Sequence, residues 1–297
     1  MSIADKLNFL LGTKRLIRAA LEGFGVEVSD TDTLRSYAEK IAGAKVKPQS
    51  LTNFFLNSTL SDDEINRQLL RIDFAQVTAL SGTFQGSLIQ SVKVAINRNF
   101  NSCPNLFRSC ARLTSIPDWD WSKNTNYEGS FYGCASLPES ELGKLSFLSA
   151  THMSNAFSYC TQITEMTLTG GNFASGKILG FSNVFRGCSR LERLDMSDLD
   201  PSNISSFDNW LSGTSVKWAK INNIGKRSAA VLQRFECPWG DGGDENRETV
   251  LWSLRDHSFD RAAAGFGKFT LYLSETTKGL LTEDEIAAIT AKGFTIA

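Results

Sequence analysis

The sequence predicts an α/β fold, a short solenoid in which each repeat donates one strand to a parallel sheet, flanked by an N-terminal helical segment and a C-terminal α/β cap. Three observations carry this expectation. A seven-residue phrase led by an aromatic recurs at intervals of 24, 26, 28 and 25 residues, an apolar alternation follows it, and the first forty-odd residues carry helical periodicity instead.

The phrase is Phe-x-x-Cys-x-x-Leu/Ile. It reads Phe107 to Leu113 with Cys110, Phe131 to Leu137 with Cys134, Phe157 to Ile163 with Cys160, and Phe185 to Leu191 with Cys188. A degenerate copy, Trp210 to Val216, has Gly213 in place of the cysteine. Leu191-x-x-Leu194-x-Met196 and Ile163-x-x-Met166-x-Leu168 then alternate with period two, as in a strand buried on one face. Tyr127, Met153 and Phe181 each stand four residues before a phenylalanine, a spacing that fits one helical turn. One such repeat cannot bury its apolar face alone, so the copies must stack and the ends need caps. The core is therefore expected at Phe107, Cys110, Phe131, Cys134, Phe157, Cys160, Phe185, Cys188, Leu191 and Leu194.

These phrases resemble the BspA-type leucine-rich repeats. Phe185 to Ile204, FRGCSRLERLDMSDLDPSNI, is the most similar stretch, and the resemblance covers about residues 81 to 225. It implies a leucine-rich-repeat solenoid with a binding surface for host or partner proteins and no catalytic group. The first 45 residues, with Gly25-Val-Glu-Val28 and Leu34-x-x-Tyr37-x-x-Lys40-Ile41, resemble the leader of bacteriophage tail and fibre proteins. That resemblance implies docking to a particle or oligomerisation.

Four segments are expected. Residues 1–46 form a helical anchoring or oligomerisation segment, with Ser2 capping an apolar stripe of Ile3, Leu7, Leu10, Leu11, Ile17 and Leu21, and a second helix over about 33–42. Residues 47–80 form a linker and an N-terminal cap or atypical first repeat, 81–244 the solenoid, and 245–297 the C-terminal cap. In that cap a helix is expected over about 247–255, strands over 269–273 and 294–296, and a helix opened by the capping box Thr282-Glu-Asp-Glu285.

Composition narrows the function. The 31 basic and 32 acidic residues nearly cancel, so no nucleic-acid partner is expected. Charges at Asp5, Lys6, Lys14, Arg15 and Arg18 interrupt every early apolar run, so neither a secretory signal nor membrane insertion is expected. The six cysteines contain no Cys-x-x-Cys pair, so a ladder of core thiols is preferred over zinc, and neither a metal nor a cofactor is expected. His152 and His257 sit in no nucleophile motif, and Asp241 to Asn246 lacks the spacing of a calcium loop.

The candidate binding surface is the exposed strand face, Glu165, Thr167, Arg193, Asp195, Lys217 and Ala219, together with Trp119 and Trp121. In Asp118-Trp-Asp-Trp121 the two indoles suggest a sugar platform, against packing on the repeats. The function expected is that of a non-enzymatic phage virion protein, a tail, fibre or surface component made in the host cytoplasm. Its partners would be other virion proteins through the N-terminal helices, a host surface protein or glycan, and a further copy of itself. The alternatives are a bacterial interaction module or adhesin and, third, a carbohydrate hydrolase, which needs two carboxylates at catalytic separation across a cleft.

Overall fold

The computed structural model describes residues 50–96, 100–170, 173, 177–226, 234–236 and 243–297, and before them the helical run 11–19 with a few single positions. The expected second helix over about 33–42, the rest of the first, and Cys237 lie outside the described residues. Leu11 and Leu16 in the helical run are exposed.

The repeat phrase folds into tight turns. Around each ladder phenylalanine, and around Leu211 in the last copy, the residues two before and two after have positive φ: Asn53 and Asn57, Gly82 and Gly86, Asn105 and Ser109, Gly129 and Gly133, Asn155 and Tyr159, Asn183 and Gly187, Asn209 and Gly213. A residue in that left-handed region ends a helix, and only Gly or Asn adopts it at little cost. The helical turn expected between Tyr127 and Phe131 is therefore a correction. Ser130 N donates to Tyr127 O, Tyr132 N to Gly129 O and Cys134 N to Phe131 O, three overlapping turns whose intervening amides are left for the neighbouring copy.

Those amides build a ladder. Asn105, Phe107 and Ser109 donate to Glu128, Ser130 and Tyr132 of the next copy, and Gly129, Phe131 and Gly133 donate to Ser154, Ala156 and Ser158. The same register runs from Asn53, Phe55 and Asn57 to Asn183, Phe185 and Gly187. Residues 51–58 and 80–87 thus carry the turn geometry of the other copies, with Phe55 and Phe84 in the phenylalanine position. In the degenerate copy Phe185 N donates to Trp210 O, which puts Leu211, not Trp210, in that position. Trp210 packs instead on Phe181 and Phe207.

The phenylalanine rings stack along the ladder, Phe55 on Phe84 at 5.5 Å, Phe84 on Phe107 at 5.1 Å, Phe107 on Phe131 at 5.8 Å, Phe131 on Phe157 at 5.5 Å and Phe157 on Phe185 at 6.0 Å. Each step adds the weak attraction of an offset ring pair to full apolar burial. Beside the rings, each thiol donates to the phenylalanine carbonyl of the preceding copy: Cys110 to Phe84, Cys134 to Phe107, Cys160 to Phe131 and Cys188 to Phe157, at 2.9 to 3.2 Å. Ser58 and Ser87 hold the equivalent place in the first two copies, where Ser87 Oγ meets Cys110 Sγ and Ser58 Oγ accepts from Leu60 N, so the position keeps a small side chain.

On the other side of the core lie short parallel strands: β1 (Glu165–Thr167), β2 (Arg193–Met196) and β3 (Trp218–Ile221), in that order. Met166 aligns with Leu194 and Ala219, and these face inward and are buried. Earlier copies put other structure in the strand position. The first has a helix, Asp62–Leu69, and the fourth a 3-10 helix, Glu139–Lys144.

A second open parallel sheet closes the described chain, ordered β4 (Arg234–Glu236), β5 (Phe269–Tyr272) and β6 (Phe294–Ile296). A helix over Gly243–Val250 continues in wider π-type turns through Leu251–Asp256, so it begins four residues earlier than the sequence predicts. Thr282 caps helix Glu283–Ala291 through the reciprocal bond with Glu285. This unit sits against β3: Ile221 N donates to Ser253 Oγ and Asn223 N to His257 O. The fold is thus mixed α/β with short parallel strands in sheets that do not close.

Candidate functional site

Strand pairing decides which side chains face out. Glu165, Arg193 and Trp218 form one row and Thr167, Asp195 and Lys220 the next, all exposed or half-buried. Two expected members of the strand face are placed differently. Ala219 is fully buried, because it occupies the inward row with Met166 and Leu194. Lys217 is exposed but precedes β3, where its ammonium meets Glu192 at 3.3 Å. A one-residue step reverses every side chain in a strand, and the last copy carries that step.

Trp218 is the outward residue that the sequence reasoning missed. Its ring lies under the Arg193 guanidinium at 4.4 Å and 5.5 Å from Lys220 Nζ, which is also 5.5 Å from the Trp252 ring. Trp252 stacks on His257 at 3.7 Å. Aromatic faces held against cations make a rigid amphipathic surface, the kind enriched where proteins bind other molecules.

Trp119 and Trp121 belong elsewhere, a third correction. Both indoles are buried, stacked at 5.7 Å on each other, with Trp119 Nε1 donating to Val94 O and Trp121 Nε1 to Pro117 O. Only the Asp118 and Asp120 carboxylates face water, so no indole is offered to a sugar ring. The rings fill the space between Phe100, Tyr127 and Phe131.

The fourth copy interrupts the strand face. Its 3-10 helix stands back from β1 and leaves a groove of about 580 Å³ lined by Glu139, Ser140, Leu142, Gly143, Phe147, Glu165, Met166, Thr167 and Thr169. Carboxylates bridge the gap in the ladder. Glu139 Oε2 accepts from Thr164 Oγ1 and from the Thr164 and Glu165 amides, and Glu141 Oε2 accepts from Ile116 N, Ser115 Oγ and Lys144 Nζ. In the first copy Asp62 does the same for the Gln90 and Ser91 amides. A side-chain carboxylate here replaces the missing strand carbonyl. The Thr164 hydroxyl and the two amides hold the Glu139 carboxyl below the usual range. Burial opposes the shift at Glu141, but Lys144, Ser115 and the Ile116 amide prevail and lower it.

Burial raises the thiols of Cys103 and Cys188 to about 12 and of Cys110 to about 11, and lifts Cys134 and Cys160 well above the ordinary value. His152 Nδ1 meets Thr151 Oγ1, and His257 Nδ1 meets the Trp252 carbonyl. Among the described residues no group of three or more His, Cys, Asp or Glu side chains is placed to hold a metal ion, and no helix is long and apolar enough to cross a membrane.

No curated protein and no solved structure matches the chain. The family described as "Mycoplasma protein of unknown function, DUF285" matches it twice, over residues 49–167 and 101–224, which overlap and together span the turn ladder and β1 to β3. The chain belongs to this family and is a BspA-like repeat protein.

Proposed function

We propose that the chain is a non-enzymatic structural protein of a bacteriophage particle, a tail, fibre or surface component, whose turn ladder and strands form a leucine-rich-repeat solenoid that binds a protein or a host surface. The observation that carries the binding half is the outward strand face, where Glu165, Arg193, Trp218 and Lys220 stand on a rigid ladder beside an open groove. Repeat arrays present such extended surfaces to partners. The particle half rests on the resemblance of residues 1–45 to phage tail and fibre leaders, and assigns that segment to other virion proteins or to a further copy of the chain. A second reading, a bacterial interaction module or adhesin, is favoured by the family's description, which names Mycoplasma.

The test is the solution mass of the full chain beside that of a shortened chain beginning at Gln49. An oligomeric full chain and a folded monomeric short one support the anchoring role. Two monomers favour the free-standing module.

A further inference from the structure

We propose that the groove between the 3-10 helix Glu139–Lys144 and strand β1 docks a short extended segment of a partner protein, which adds to β1 as a further strand and places a basic side chain at the groove's acidic rim. This rests on the binding reading above and gives it a site and a chemistry.

β1 is the edge of its sheet. Thr164 O accepts from the Glu192 and Arg193 amides, and Leu168 N donates to Asp195 O, so these positions point their backbone toward β2. Alternation turns the backbone of Glu165 and Thr167 the other way, into the groove. The Glu165 amide is held by Glu139, which confirms the direction. The Thr167 amide and the carbonyls of Glu165 and Thr167 remain as the ladder positions of an incoming strand. Edges of this kind are templates for strand addition unless something covers them.

The groove suits a peptide in shape and charge. Its floor is apolar, made by Leu142, Phe147 and Met166, all buried. Its rim carries the Glu139 and Glu165 carboxylates with the Ser140, Thr167 and Thr169 hydroxyls. Among the described residues no cation pairs with Glu165, and Lys144, on the 3-10 helix, is engaged by Glu141. An alternating segment would put its apolar side chains on the floor and a lysine or arginine against the two acids.

The experiment selects a displayed random heptapeptide library against the full chain and measures labelled synthetic versions of the selected heptapeptides by fluorescence anisotropy. The expected result is a set of alternating sequences with a lysine or arginine, bound at least tenfold more weakly by Thr167→Pro and by Glu165→Arg. Proline at Thr167 deletes the outward amide and leaves the β2 bonds, and an unchanged urea midpoint shows that the variant is folded. Glu165→Arg, at an exposed position, serves if the proline variant unfolds. Equal binding to wild type and both variants, or no selected peptide, overturns the proposal. Whole-chain adhesion to host cells separates the two claims: adhesion that survives both variants sinks the groove and leaves the binding reading standing.

Discussion

Gly187→Ala tests the ladder at its most constrained point. The residues two after each phenylalanine alternate along the array: Asn57, Gly86, Ser109, Gly133, Tyr159, Gly187. At Gly86 and Gly187 the side chain of the preceding copy lies where a Cβ would stand. A Cβ on Gly187 would stand 2.5 Å from Tyr159 Cδ1, and one on Gly86 would clash with Asn57 Oδ1. At Gly187 the φ of +71° costs an alanine about 1–2 kcal/mol. The half-exposed Tyr159 ring can swing aside, but it then leaves its edge contact with Tyr132 at 5.3 Å, a further ~0.5–1.5 kcal/mol. The sum is a destabilisation of about 1.5–3.5 kcal/mol, read from urea unfolding at 25 °C. In a Tyr159→Gly background the same substitution should cost only its backbone part, so the cycle shows a coupling of ~1 kcal/mol. A neutral Gly187→Ala, or costs that simply add, refutes the close approach of these two copies.

Phe157→Ala, which removes a fully buried ring stacked on both sides, is expected to cost about 3–5 kcal/mol in the same assay. Cys103, Cys110, Cys134, Cys160 and Cys188 should resist iodoacetamide at pH 8 until urea unfolds the chain, because burial keeps them protonated. Their raised folded values also give a sign: the thiols hold their full contribution to stability below about pH 9 and lose it above, so alkaline unfolding should set in there. Glu139 has a lowered folded value, so its contribution is complete above the ordinary value of 4.5 and is lost as pH falls below it. Glu139→Gln should reduce the fall in melting temperature between pH 6 and pH 3.

The repeat was legible because the phenylalanine and cysteine recur with the aliphatic residue at fixed offsets. The copies at Phe55 and Phe84 escaped the phrase because Ser58 and Ser87 replace the cysteine, although serine and cysteine are alike in size. The left-handed positions held the available signal, since Asn53, Gly82, Asn105, Gly129, Asn155, Asn183 and Asn209 are all Asn or Gly. The same residues distinguish overlapping turns from a helix, which the four-residue spacing of Tyr127 and Phe131 alone does not. At the site, alternation placed Glu165, Thr167, Arg193 and Asp195 outward. Trp218 was hidden by the step in the last copy, where Leu211 takes the place that its aromatic neighbour suggests for Trp210. Trp119 and Trp121 misled because an acidic loop sequence does not reveal that its indoles turn into a gap beside Phe100 and Tyr127. The bridging by Glu139 and Glu141 was beyond sequence reasoning, because it depends on which copy lacks a strand.

One turn ladder runs from Phe55 to Leu211, with alternating amides bound across copies. Residue-resolved amide hydrogen exchange tests it most directly. Strong protection is expected at Asn53, Phe55 and Asn57, matching that at Asn155, Phe157 and Tyr159, whose amides make the same bonds to the next copy. Exchange at residues 53–57 at the rate of an unstructured chain, beside protected amides at 155–159, would contradict it.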